Sequence, residues 1–277
     1  MKTNAPLAFA VLLSVHAAVG AQDLWGIFPT SIQAEPSGEA DLAKQLANPI
    51  ASLISLPIQS NYDFGIGPGD GTKWTTNIQP VIPFELNQHW NLISRTILPV
   101  IDQEGIAPGG VSDAFGLGDT VQSLFFSPKE SDPIWGVGPV FLIPTATDDL
   151  LGSEQWGIGP TAVALKQFGP WTVGALANHI WSFAGEDNRD DVNATFLQPF
   201  ISYITDTKTT FSVNLETTYD WEHEEWNLPV NFVVSQLLKI GDQPVQFFGG
   251  VRYYLDTPDG GPEWGLRFGL TFLFPKS

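Results

Sequence analysis

The 277-residue chain contains no cysteine, so disulfides and cysteine-ligated metal sites are excluded, while the redox compartment stays open. Cations are scarce: 12 Lys and Arg face 30 Asp and Glu, a formal charge of −18. Nucleic acid is thereby excluded as a partner, because phosphate binding needs clustered Lys and Arg. Only 15% of residues are charged, and no stretch is apolar for long enough to cross a bilayer as a helix. Cofactor fingerprints and metal motifs are missing too. Gly65–Gly71 has turn composition without the Lys and Ser or Thr of a phosphate loop, and Glu222-His-Glu-Glu225 is not a His-Glu-x-x-His motif. No cofactor is expected, and no catalytic residue is assigned.

What is present is alternation. From Phe211 to Trp221 one face reads Phe211, Val213, Leu215, Thr217, Tyr219, Trp221 and the other Ser212, Asn214, Glu216, Thr218, Asp220. The last segment repeats this, with Trp264, Leu266, Phe268, Leu270, Phe272 and Phe274 against Gly265, Arg267, Gly269, Thr271 and Leu273. A period of two places the sets on opposite faces of a sheet. Twelve such segments are expected, at about 53–64, 72–84, 88–101, 114–127, 134–144, 155–168, 170–183, 191–205, 208–221, 226–238, 243–255 and 263–274. Each approaches or exceeds the roughly 9–11 residues of a tilted membrane strand, and an even number suits a bacterial barrel. The expected fold is all-β: a transmembrane antiparallel β-barrel of about 12 strands over 53–277, preceded by a short helical or irregular segment at 22–52 that is periplasmic or plug-like. Within that segment Glu39–Leu46 reads as two helical turns after Ser37, stopped by Asn48-Pro49.

Residues 1–21 carry Lys2, an apolar run from Leu7 to Leu13, and small residues up to Ala21, the pattern of a signal peptide. With the N-terminus inside, long acidic connections face outward and tight turns inward, the asymmetry of an outer-membrane barrel. Acidic residues of the outer loops, Asp148, Asp149, Glu222 and Glu224 among them, offer oxygen ligands to divalent cations bridging lipopolysaccharide; plain solvation is the other reading. Trp90, Trp135, Trp156, Trp171, Trp221, Trp226 and Trp264 are expected in the aromatic girdles at the interfaces.

Strand prolines Pro80, Pro139, Pro160, Pro199 and Pro229 lack a donor and should mark bulges or strand ends. An internal echo, Trp135-Gly-Val-Gly-Pro139 and Trp156-Gly-Ile-Gly-Pro160, puts Gly136, Gly138, Gly157 and Gly159 on one face. A backbone bend is the favoured reading, and close packing from inside, for instance by the N-terminal segment, is the other.

The runs Asn48-Pro-Ile-Ala-Ser-Leu-Ile-Ser-Leu-Pro57, Asn77-Ile-Gln-Pro-Val-Ile-Pro83, Trp90-Asn-Leu-Ile-Ser-Arg-Thr-Ile-Leu-Pro-Val100, Gly136-Val-Gly-Pro-Val-Phe-Leu-Ile-Pro-Thr145, Ala177-Asn-His-Ile-Trp-Ser-Phe183 and Gly260-Gly-Pro-Glu-Trp-Gly-Leu-Arg-Phe268 resemble the outer-membrane channel family named for the MetA pathway of phenol degradation. Its members often carry the label "transporter" or "neuromedin U". The resemblance covers essentially the whole mature chain and implies a channel in the bacterial outer membrane; phenol as a substrate does not transfer with it. The last strand, ending at Phe274 before Pro275-Lys-Ser277, is similar to the signal read by the barrel-assembly machinery.

An Arg or Lys on the lipid face at mid-bilayer costs about 2–4 kcal/mol, which fixes the register. Lys73, Arg95, Asn214, Glu216, Arg252 and Arg267 are therefore expected to line the pore. They would form either a polarised constriction for a small-molecule permeant, hydrophobic or aromatic solutes included, or a static ion-pair network. Two further readings stand beside the channel: a structural barrel engaging outer-membrane lipid and lipopolysaccharide, and a lipid-modifying enzyme at His179 with Asn178 and Ser182 nearby.

Overall fold

In the computed structural model, residues 36–107 and 112–275 are described. The expected signal peptide, and the start of the N-terminal segment, lie outside them. A helix α1 (Pro36–Leu46) opens with Pro36, whose fixed φ and missing N–H suit a first helical position. It starts three residues before the expected turns and ends short of Asn48-Pro49. Sixteen strand elements follow: β1 (Ile54–Ile66), β2 (Gly71–Ile78), β3 (Val81–Glu85), β4 (Trp90–Glu104), β5 (Ala114–Leu117), β6 (Thr120–Pro128), β7 (Ile134–Ile143), β8 (Gln155–Phe168), β9 (Trp171–Gly185), β10 (Asn193–Ile204), β11 (Thr209–Leu215), β12 (Thr217–Asp220), β13 (Glu225–Asn227), β14 (Pro229–Ile240), β15 (Gln243–Tyr254) and β16 (Trp264–Phe274).

Four of these crossings are interrupted: β2 and β3, β5 and β6, β11 and β12, and β13 and β14 each pair as one strand against shared neighbours. The result is a closed antiparallel barrel of 12 spans. Closure is made by β1 with β16, in register from Ile54↔Phe274 to Phe64↔Trp264, which leaves no free edge at the seam. The alternation read in the last segment holds: along β16, Trp264, Leu266 and Phe268 are exposed on the outside, while Gly265, Arg267, Thr271 and Leu273 are buried inside.

The prolines act in two ways. Pro80 falls in the break between β2 and β3, and Pro229 starts β14, as expected. Pro139, Pro160 and Pro199 instead sit within continuous strands. Pro139 faces Pro160 directly, and the missing donors open the ladder on the far side of each strand. β6 and β7 lose pairing between Ser123↔Val140 and Phe126↔Val137, and β8 and β9 between Ile158↔Trp181 and Thr161↔Asn178. Gly138 and Gly159 sit at these openings, where a Cβ would meet the Leu124 and His179 carbonyls of the neighbouring strands; at Gly157 it would meet the Ile180 side chain, and at Gly136 it would meet Ile50 of the N-terminal segment from inside.

The described part of the N-terminal segment, residues 36–53, packs inside one end of the barrel. Ala43, Ala51 and Leu53 are buried against Ile204, Leu237 and Leu273, next to the short turns. Ile50 is buried with Val81, Ile93, Phe125, Val163 and Leu176. Gln167 Nε2 donates to the Lys44 carbonyl at 2.8 Å, and Asn91 Nδ2 to Ser52 Oγ at 2.8 Å.

Candidate functional site: a charged waist in the bore

Inward positions of β1, β15 and β16 bring the charged residues to one level. Register pairs Asn61 with Arg267, Asp63 with Gly265 and with Lys73, and Asn231 with Arg252. Glu216 stands in the break between β11 and β12, where Pro199 on one neighbouring strand and Pro229 on the other leave the ladder incomplete; its N–H donates to the Pro229 carbonyl at 3.1 Å. The break directs its carboxylate into the bore.

Arg267 meets that carboxylate in bidentate fashion, Nη1 to Oε1 and Nη2 to Oε2 both at 2.7 Å, while its Nε donates to Asn61 Oδ1 at 2.8 Å. Paired planar forks of this kind are among the strongest polar contacts in proteins. Arg252 bridges the two carboxylates, 3.7 Å from Glu216 and 3.7 Å from Asp63, with its guanidinium 5.3 Å from the centre of the Tyr254 ring. Gln198 Nε2 adds a 3.3 Å contact to Glu216. Arg95 differs: its Nη2 donates to Gln79 Oε1 at 3.1 Å, and no carboxylate of the described residues lies within 4 Å of it. Lys73 lies opposite Asp63 without an ion pair at that distance. Asn214 accepts from fully buried Asn231 at 2.9 Å.

Of the six residues expected in the bore, Glu216, Arg252 and Arg267 share direct contacts, Arg95 and Lys73 lie beside them, and Asn214 pairs separately toward α1. Asp63, Asn61 and Asn231 were missed. Their signal was present, since Gln59, Asn61 and Asp63 alternate with Ile58, Ser60, Tyr62 and Phe64 along β1.

Space remains around the waist. A cavity of about 360 Å³ adjoins Gln59, Gln79, Arg95 and Glu216, and spaces of about 150 and 230 Å³ lie beside α1. Gln79 and Arg95 border the first and second, and Gln59 the first and third, so the waist is flanked by room on both sides.

The tryptophans form two groups. Trp90, Trp135 and Trp171 follow the short turns, with the first two rings 5.8 Å apart; Trp156, Trp221, Trp226 and Trp264 adjoin the long loops. All but half-buried Trp135 are exposed. Asp148, Asp149, Glu222 and Glu224 are exposed on the long-loop side, and among the described residues no three acidic or histidine side chains gather as a metal site. His179 points outward, its Nδ1 2.7 Å from Thr195 Oγ1 and its ring over Trp181, whereas Asn178 lines the inner cavity and Ser182 bonds Asp191. These three side chains do not share a site.

The described residues thus form a closed, two-sided barrel with a charged waist. Among solved structures the chain is similar to an outer-membrane channel from Pseudomonas putida F1, with a TM-score of 0.63 and 16% identity over 80% of this chain and 96% of that one. It is also similar to the NanC porin, with a TM-score of 0.50 and 13% identity over 78% and 98% of the two chains. At these identities the likeness establishes the fold. No family model and no curated protein matches the sequence.

Proposed function

We propose that the protein is a channel of the bacterial outer membrane that passes small solutes by passive diffusion, and that it belongs to the phenol-degradation channel family. The observation that carries this reading is the waist, where buried charge sits between open spaces instead of a packed core. Lys73, Arg95, Arg252 and Arg267 face Asp63 and Glu216 there, four cations against two carboxylates, so the waist is positive although the chain as a whole is acidic. Field lines concentrate in a low-dielectric bore, and this excess favours anions. The segment 36–53 narrows the opposite end, so conduction passes beside it or requires it to shift. Outer-membrane lipid and lipopolysaccharide surround the barrel in this reading, and the barrel-assembly machinery inserts it through the β16 pattern.

Planar-bilayer recording and liposome swelling test it. Discrete currents and solute uptake are expected. Their absence would leave a structural barrel.

A further inference from the structure

The interior of a water-filled barrel is ordinarily polar around its whole circumference. Here it is not. On one side of the bore, inward positions carry Gln59, Asn77, Gln79 and Glu216; on the other the large side chains are Ile97, Val121, Leu142 and Ile180, interrupted by Ser123 and Asn178 on the same strands. Both sets line the same 360 Å³ cavity, and Arg95 stands at the boundary between them. Nearer α1 the apolar inward side chains are covered, because Ile50 packs on Ile93, Phe125 and Leu176. Above the waist no segment among the described residues covers them: Val121, Leu142 and Ile180 form a separate cluster with Val140 and Val192 that borders the open space.

An apolar surface facing water inside a pore is unfavourable by roughly 25 cal/mol per Å², and the arrangement becomes favourable when a solute covers it. A volume near 360 Å³ falls within the roughly 300–1,000 Å³ of small-molecule sites, which combine apolar walls with a few convergent polar groups. The one cation lining this cavity is Arg95. Arg252 and Arg267 are committed to Glu216, whereas Arg95 hydrogen-bonds the neutral Gln79 and lies more than 4 Å from the Glu216 carboxylate that shares the cavity. A guanidinium in that position takes a carboxylate through paired N–H donors.

We propose that this cavity is a binding site for an organic monocarboxylate with a compact apolar body, an aryl or branched alkyl acid, whose carboxylate meets Arg95 while its body lies on Ile97, Val121, Leu142 and Ile180. The site deepens the channel reading, on which it rests for the solute's route, though the binding itself is independent of conduction. Neither half of the ligand suffices: an acid without a body leaves the apolar arc wet, and a neutral body leaves Arg95 unanswered.

The test uses the full-length protein in detergent and calorimetric titration with benzoate, benzyl alcohol and acetate. Benzoate is expected to bind at least about tenfold more tightly than either of the others, given about 1.5–3 kcal/mol for a hydrogen-bonded charge. Arg95→Gln should reduce benzoate affinity by a similar factor and leave benzyl alcohol unaffected; Arg95→Lys should recover part of it. Leu142→Asn should weaken benzoate and spare acetate, and Lys166→Gln, on the exposed outer wall, should change nothing. Equal binding of benzoate and acetate, or of benzoate and benzyl alcohol, would overturn the proposal, as would full benzoate affinity in a folded Arg95→Gln protein. Bilayer recording separates the two readings: benzoate binding without any ionic current refutes the channel and keeps the site, and current without selective benzoate binding does the reverse.

Discussion

Replacing Glu216 by glutamine keeps the side chain's shape and one acceptor while removing the charge that Arg267 and Arg252 share. Arg267 is 3% exposed and makes two 2.7 Å bonds to that carboxylate. Its charge would be left buried against Asn61 and an amide. Breaking one side of a buried pair costs about 3–5 kcal/mol, because the remaining ion is desolvated without compensation. The 3.7 Å contact of Arg252 lies outside hydrogen-bonding range and adds less. Guanidinium unfolding in detergent, followed by tryptophan fluorescence, should therefore show a loss of about 3–5 kcal/mol, and adding Arg267→Gln should restore part of it in a double-mutant cycle. The same change raises the positive excess at the waist from two charges to three, so anion preference should increase. A loss below about 1 kcal/mol, the range of exposed pairs, together with unchanged selectivity would refute the buried-waist reasoning.

Reversing Arg95 and Arg252 to Glu should turn anion preference into cation preference in reversal-potential measurements, and unchanged selectivity would remove both from the ion path. Ile50→Ala should destabilise the barrel by about 2–5 kcal/mol in the same unfolding assay, since Ile50 fills a site 3% exposed among six buried partners. Gly138→Val should lower stability by at least about 1–3 kcal/mol, because its side chain would be driven into the Leu124 carbonyl. At the outer mouth, the Asp220 hydrogen bond raises the pKa of exposed His223, which also lies 3.6 Å from Asp190. A raised histidine pKa means the contact is complete below about pH 6.5 and is lost as pH rises through the folded value. Hydrogen-exchange protection factors in loops 186–192 and 221–224, each taken relative to the intrinsic exchange rate at the same pH, should accordingly fall on the alkaline side, and His223→Ala should make them independent of pH there.

Strand positions were legible because lipid and a charged bore impose opposite chemistry on alternate residues. Segments such as 211–221 and 264–274 obey this closely, and their expected bounds lie within a residue or two of the barrel spans. The breaks beside Pro80 and Pro229 were marked by proline, whereas the one at Glu216 was less visible, since it depends on neighbouring strands. Glu216 is isolated by Pro199 and Pro229, which are adjacent only across the sheet. Asp63 was readable by phase in β1 and was overlooked. The apolar half of the bore was not readable at all. In 90–98 both faces carry large aliphatics, Leu92 and Leu98 outward and Ile93 and Ile97 inward, so alternation alone does not say which of them meet lipid. The inward glycines of the echo had the opposite problem, because a bend and a close approach leave the same residue type.

The central claim is that a positively biased waist forms a route for solutes through a closed barrel. Recording the full-length protein in planar bilayers under a salt gradient tests it most directly. Discrete conductance steps with a reversal potential displaced toward the chloride equilibrium value are expected. A bilayer that stays silent, or steps whose reversal potential lies toward the potassium value, would contradict it.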